Sequence, residues 1–187
     1  RRLMILGGVI AALGLLGLGL FVAKEWRFEA WVDEERAEGF RLLEAGDPEA
    51  ALEHLARVFR ERPEDVEAVV AFAEAREAVP TEDGSHILAA INIRGRLVEL
   101  RPDDLDARRN LMRLYAMAGF ASEAEREADE VIRLAGDDPD ALAIKLSVAQ
   151  SRGRSNEAER LAARLVADED ADFDSLRARM SLLIEEN

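Results

Sequence analysis

Residues 39–68 read GFRLLEAGDPEAALEHLARVFRERPEDVEA, and their pattern sets the architecture of the chain. On either side of Gly46, apolar residues return every three or four positions, the period of a helix with one apolar face. Gly46 can close the first helix in the left-handed conformation, Asp47 can cap the next, and Pro48 suits its first turn. Pro63 follows the second helix. The stretch therefore predicts two antiparallel helices joined by a tight turn.

Working outward, the same marks recur. Ala51, Ala90, Ala124 and Ala158 are separated by 39, 34 and 34 residues, and Gly119 and Gly153 repeat the turn glycine in the same register. The step of 39 also carries Pro63-Glu64-Asp65-Val66-Glu67-Ala68 onto Pro102-Asp103-Asp104-Leu105-Asp106-Ala107. Asp138-Pro139 repeats the cap-then-proline logic, and Ser122 with Glu125 has the form of a capping box. A period between 20 and 50 residues marks stacked supersecondary units, each too small to bury its apolar face alone.

A 34-residue period with a glycine between two helices, a small residue within the second and a proline after it resembles the tetratricopeptide family. The first copy shows Gly39, Leu42, Gly46, Ala51, Leu55 and Pro63 at that family's positions, and the third shows Leu111, Tyr115, Gly119 and Ala124. In the third copy Gly136 stands where the proline belongs, with Pro139 three residues later; the fourth keeps Gly153 and Ala158. Repeat two departs most, since Val79-Pro80-Thr81-Glu82-Asp83-Gly84-Ser85 replaces the short turn and carries five extra residues, a loop expected to protrude. No copy has the family's usual tryptophan. The resemblance covers about residues 32–170.

The expected fold is all-α: a single amino-terminal transmembrane helix, then an α-solenoid of about four tetratricopeptide-like hairpins with a carboxy-terminal capping helix. The division expected is residues 1–31 as anchor and juxtamembrane segment and residues 32–187 as the repeat domain. Phe173, Leu176, Met180 and Leu183, at helical spacing, are the cap or the first helix of a fifth repeat.

The anchor is inferred from Leu3–Ala23, which lacks charged side chains and would reach about 30 Å as a helix. A cleaved signal peptide is the competing reading, but its apolar core should be shorter and end in an Ala-x-Ala-like site, which Phe21-Val22-Ala23 matches poorly. Trp26, Phe28 and Trp31 follow as an interfacial aromatic belt. Gly7, Ala11 and Gly14 share one face, and Gly8, Ala12 and Gly19 form a second small-residue stripe of the kind that packs against another transmembrane helix. The predicted location is thus a single-pass protein of a bacterial inner membrane with its repeats extracytoplasmic. The preference for Arg, with only Lys24 and Lys145 as lysines, suits a GC-rich bacterial genome.

Composition excludes several function classes. The chain carries 39 acidic and 25 basic residues, a net charge of −14, and a field of that sign repels phosphate backbones. With no cysteine, thiolate chemistry and cysteine-ligated metals are excluded. His54 and His86 fall in different repeats without neighbouring ligands. No phosphate-binding Gly-x-x-x-x-Gly-Lys loop, Gly-x-Ser-x-Gly elbow or His-Glu-x-x-His helix is present. Neither an enzyme nor a cofactor is expected.

The resemblance implies a concave groove lined by the first helix of each repeat, and places Phe40, Leu43, Val70, Arg109, Arg113, Ser147 and Gln150 there. Arg109 and Arg113 stand one helical turn apart and suit a carboxylate or an acidic peptide terminus. The competing reading is that they offset Asp103, Asp104 and Asp106. The function expected is a non-catalytic, membrane-anchored scaffold or structural subunit whose partners are other proteins, including transmembrane helices, and the bilayer, with no nucleic acid. A transient assembly or chaperone factor and an accessory domain of a larger enzyme are the alternatives.

Overall fold

Alternation of apolar faces with capped turns yields eight helices in the computed structural model, which describes residues 2–167, with side chains from residue 18 to residue 166 apart from that of residue 20. They are α1 (Arg2–Glu44), α2 (Pro48–Glu61), α3 (Val66–Ala78), α4 (Ser85–Leu100), α5 (Leu105–Met117), α6 (Ala121–Ala135), α7 (Pro139–Ser151) and α8 (Ser155–Ala167). Each odd-numbered helix pairs with the even one after it, giving four hairpins, and each hairpin stacks on the next. The expected capping helix lies outside the described residues.

The turns form for the reasons legible in sequence. Gly46 adopts φ +76°, a conformation that a side chain would strain, and Asp47 accepts a 3.0 Å hydrogen bond from the Ala50 N–H. Asp65, Asp104 and Asp138 cap α3, α5 and α7 in the same way, on Ala68, Ala107 and Ala141. Gly39 serves a different need: a Cβ there would lie 2.9 Å from Leu55 Cδ2, so its absence lets α1 lie close on α2. Ser122 does not form the expected capping box. α6 begins at Ala121 with Phe120 as its cap, and the Ser122 hydroxyl accepts from Arg152 Nη2 at 2.7 Å instead.

The core runs as successive clusters along the stack. Ala51, Leu55, Ala71 and Ala75 join the first hairpin to the second, and Val69, Ala73, Ile93 and Leu97 of the second pack with Ala107 of the third. Met112, Ala124, Ala128 and Val131 of the third pack with Ala141 and Ile144 of the fourth. The long α3–α4 connection is ordered locally: Thr81 Oγ1 accepts from the His86 N–H, and His86 Nδ1 accepts from the Thr81 N–H at 3.0 Å.

The expected transmembrane anchor is not borne out. Among the described residues no helix is long and apolar enough to cross a membrane. α1 has no boundary at residue 24 or residue 32; its apolar beginning continues unbroken through Lys24, Glu25, Arg27 and Glu29 into the segment that packs on α2. The apolar run is one end of a 43-residue helix and not an element of its own. The single-pass assignment, with its extracytoplasmic repeats and its bilayer and transmembrane-helix partners, falls with the anchor. The stripe residues Gly7, Gly8, Ala11, Ala12 and Gly14 lie outside the described side chains, while a Cβ on Gly19 would meet nothing within 4 Å. Trp26, Phe28 and Trp31 are exposed, the last two as a ring pair 5.7 Å apart.

Candidate functional site

α1 lies against α3 and α5 against α7, and the seven residues expected to line a groove all lie on these first helices of the hairpins. The structure divides these residues among separate hollows. Phe40, Leu43 and Val70 share one with Val66 and Ala71, at the first and second hairpins. Arg109 and Arg113 share another with Asp138 and Asp140, between α5 and α7. Ser147 lines a third with Ala116, Gly119 and Ile144, and Gln150 stands exposed outside all three.

The arginine hollow is already satisfied from within. Arg109 Nε donates to Asp138 Oδ2 at 2.9 Å and Nη2 to the same oxygen at 2.7 Å, while Asp138 Oδ1 holds the first turn of α7. Asp138 is only 6% exposed, and this pairing holds the Arg109 guanidinium above its ordinary pKa. Arg113 Nη2 donates to Asp140 Oδ2 at 2.6 Å. An incoming carboxylate would have to displace a buried, doubly used one. The arginines do meet acids, as the competing reading held, but chiefly acids one repeat further on; of the nearby three, Asp106 alone pairs with Arg109, at 3.3 Å.

An equivalent hook joins the first two hairpins, and sequence reasoning missed it. Arg36 Nε donates to Asp65 Oδ2 at 2.8 Å and Nη2 to Glu67, while its guanidinium lies 4.6 Å over the Phe40 ring. Burial pushes the Asp65 carboxyl up, but the bonds from Arg36 and from the Ala68 N–H outweigh it and leave the pKa lowered. The signal was present in the chain: Arg36 and Arg109 are 73 residues apart, as are Asp65 and Asp138, Glu67 and Asp140, and the turn glycines Gly46 and Gly119. Between them, at the corresponding place on α3, stands Val70.

The apolar hollow is also lined by Glu44, Glu67 and Glu74, and by Arg101 at the end of α4. Glu44 and Glu74 are exposed and form no ion pair among the described residues, whereas Glu67 is held by Arg36. Hence the floor is apolar and the rim is negative.

Neither histidine sits in a ligand cluster. His54 Nδ1 is 2.8 Å from Glu35 Oε2, which also accepts from Arg57, and His86 closes the α3–α4 loop. Among the described residues no group of three or more His, Cys, Asp or Glu is placed to hold a metal ion.

No protein-family model matches the chain, and no curated protein does. Solved structures of MamA share its fold. One is 18% identical, covers 83% of this chain and 82% of its own, and superposes with a TM-score of 0.63. A second, MamA AMB-1, is 17% identical over 76% of each chain, also with a TM-score of 0.63. MamA from Desulfovibrio magneticus RS-1 is 16% identical over 83% of this chain and 94% of that one, with a TM-score of 0.57. At such identities the likeness shows the fold alone, and that fold is the α-solenoid of tetratricopeptide type.

Proposed function

We propose that the protein is a non-catalytic scaffold that holds other proteins against the first helices of its hairpins, as a stable subunit of a complex. The observation that carries this reading is the row of hollows along α1, α3, α5 and α7, one of them floored by half-buried apolar side chains. Such a row offers shape and apolar area to a partner. The carboxylates set at the seams, Asp65, Glu125 and Asp138, pair with arginines of neighbouring hairpins, an arrangement that serves packing better than proton transfer.

Crosslinking of the tagged full chain in cells, followed by mass spectrometry of the joined peptides, tests this. A scaffold of the proposed kind gives one or a few partners at constant stoichiometry, with crosslinks concentrated on α1, α3, α5 and α7. Crosslinks confined to α2, α4, α6 and α8, or no recurring partner, would sink it.

A further inference from the structure

One register position sets the second hairpin apart. Where α5 carries Arg109, five residues after its cap and reaching the cap of α7, and where α1 carries Arg36, 73 residues earlier and reaching the cap of α3, α3 carries Val70, five residues after its own cap. The cap that Val70 would have hooked, Asp104, pairs among the described residues with Arg101 alone, at 3.8 Å and within the same turn. The place taken by a guanidinium at the other two seams is here an apolar patch, continuous with Phe40, Leu43 and Val66. Glu44 and Glu74, which form no ion pair among the described residues, stand at its border with Glu67 and with Arg101, so acids outnumber bases there.

An apolar floor with an acidic rim selects its occupant twice over. Apolar side chains gain by leaving water on the floor, and positive charge on the flanks of the same segment meets Glu44 and Glu74. The net charge of −14 draws a cationic partner from a distance and repels an acidic one, a second copy of this chain included. The chain cannot supply the segment from α1 itself. The exposed Phe21 and Trp26 lie on the same rigid helix as Phe40, some 20–30 Å up its axis at about 1.5 Å per residue.

We infer that the groove floored by Phe40, Leu43, Val66 and Val70 receives a segment of another protein that carries apolar anchors flanked by Lys or Arg. This rests on the scaffold reading and names the chemistry of its partner.

The test is an array of short apolar peptides whose flanking positions are Lys or Arg, Glu or Asp, or Ser or Gln, probed with the full chain and followed by calorimetric titration of the best binders. The cationic arm binds best, and its affinity falls several-fold as salt rises. Glu44→Lys with Glu74→Lys, both exposed, lowers cationic-peptide affinity by about tenfold and admits the acidic arm. Val70→Arg abolishes binding by all arms. It places on α3 the residue type that α1 and α5 already carry there, and circular dichroism checks that the variant folds. Equal binding by the three arms, binding by none, or cationic binding unmoved by these variants would overturn the inference. So would self-association in sedimentation that Val70→Arg removes, since the occupant would then be a second copy. Should the peptides fail while crosslinked partners still map to α5 and α7, the scaffold reading survives and this inference does not.

Discussion

The seam between the second and third hairpins and the seam between the third and fourth are made from equivalent helices in one register, yet they are held differently. At the third-to-fourth seam Arg109 and Arg113 reach Asp138 and Asp140, Arg152 and Arg154 both reach Glu125 at 2.7 Å, and Lys145 reaches Asp129. At the second-to-third seam, among the described residues, no ion pair crosses from α3 or α4 to α5 or α6. What crosses is apolar: Val69, Ala73, Ile93 and Leu97 against Ala107, and Ala90 and Ile91 against Leu111 and Leu114. A solenoid needs only that neighbouring hairpins bury each other's apolar faces. Ion pairs are an addition that a seam can do without, and the seam without them is the one beside the open apolar groove.

The comparison sharpens most if the apolar seam is weakened directly. Leu97 is 2% exposed, and Leu97→Ala removes buried atoms and leaves a cavity, at a cost of about 3 kcal/mol. Urea unfolding followed by circular dichroism should show a lower midpoint, with a loss that barely changes between low and high salt. A loss that salt enlarges or erases would mean that charge holds this seam after all.

Next in size is the contrast between two caps. Asp104 and Asp138 each hold a helix start at 3.0 Å, but Asp138 alone is also the anchor of a hook from the preceding hairpin. Asp104→Ala should cost about 1 kcal/mol, the ordinary worth of a cap. Asp138→Ala should cost about 2 kcal/mol, since it also strands the Arg109 guanidinium in a partly buried place. Adding Arg109→Met to each separates the parts: the double-mutant cycle with Asp138 shows coupling, and that with Asp104 shows none. Equal costs for the two caps would erase the distinction between the seams.

How far these differences could be read beforehand depends on the distance over which each signal acts. The hairpins were legible because their determinants are local: Gly46 with Asp47 and Pro48 makes a turn within three residues, and the period repeats it. The partners of Arg109 and Arg113 were less so, because in a stacked solenoid the nearest acid in space is one repeat away. Asp138 lies 29 residues from Arg109, whereas Asp103, Asp104 and Asp106 lie within six. Ser122 failed for a similar reason, since Arg152 of the next hairpin takes its hydroxyl. The apolar run Leu3–Ala23 misled because hydropathy reads a window and not an element, and nothing in that window reveals that the helix continues to Glu44. For the expected groove, the seven residues lie on first helices of the hairpins, but which of them share a hollow follows from how hairpins meet and could not be read from the repeat alone.

The smallest expected effect asks what the hook at the first seam is made of. Arg36 both pairs with Asp65 and Glu67 and lies over Phe40, so charge and packing are confounded at one side chain. Acid separates them. The Asp65 pKa is lowered in the folded chain, so its pairing adds stability that is fully present above the unfolded value of about 4 and is lost as pH falls through the lower folded value. If charge dominates, Arg36→Met is less stable than the parent chain at pH 7, and the gap closes as both are taken toward pH 2. If the stacking on Phe40 dominates, the gap stays the same across that range. Methionine fills much of the arginine's volume but carries no charge, so a gap that closes assigns the first seam to the same ionic class as the third-to-fourth seam. A constant gap would instead place it with the apolar seam beside Val70.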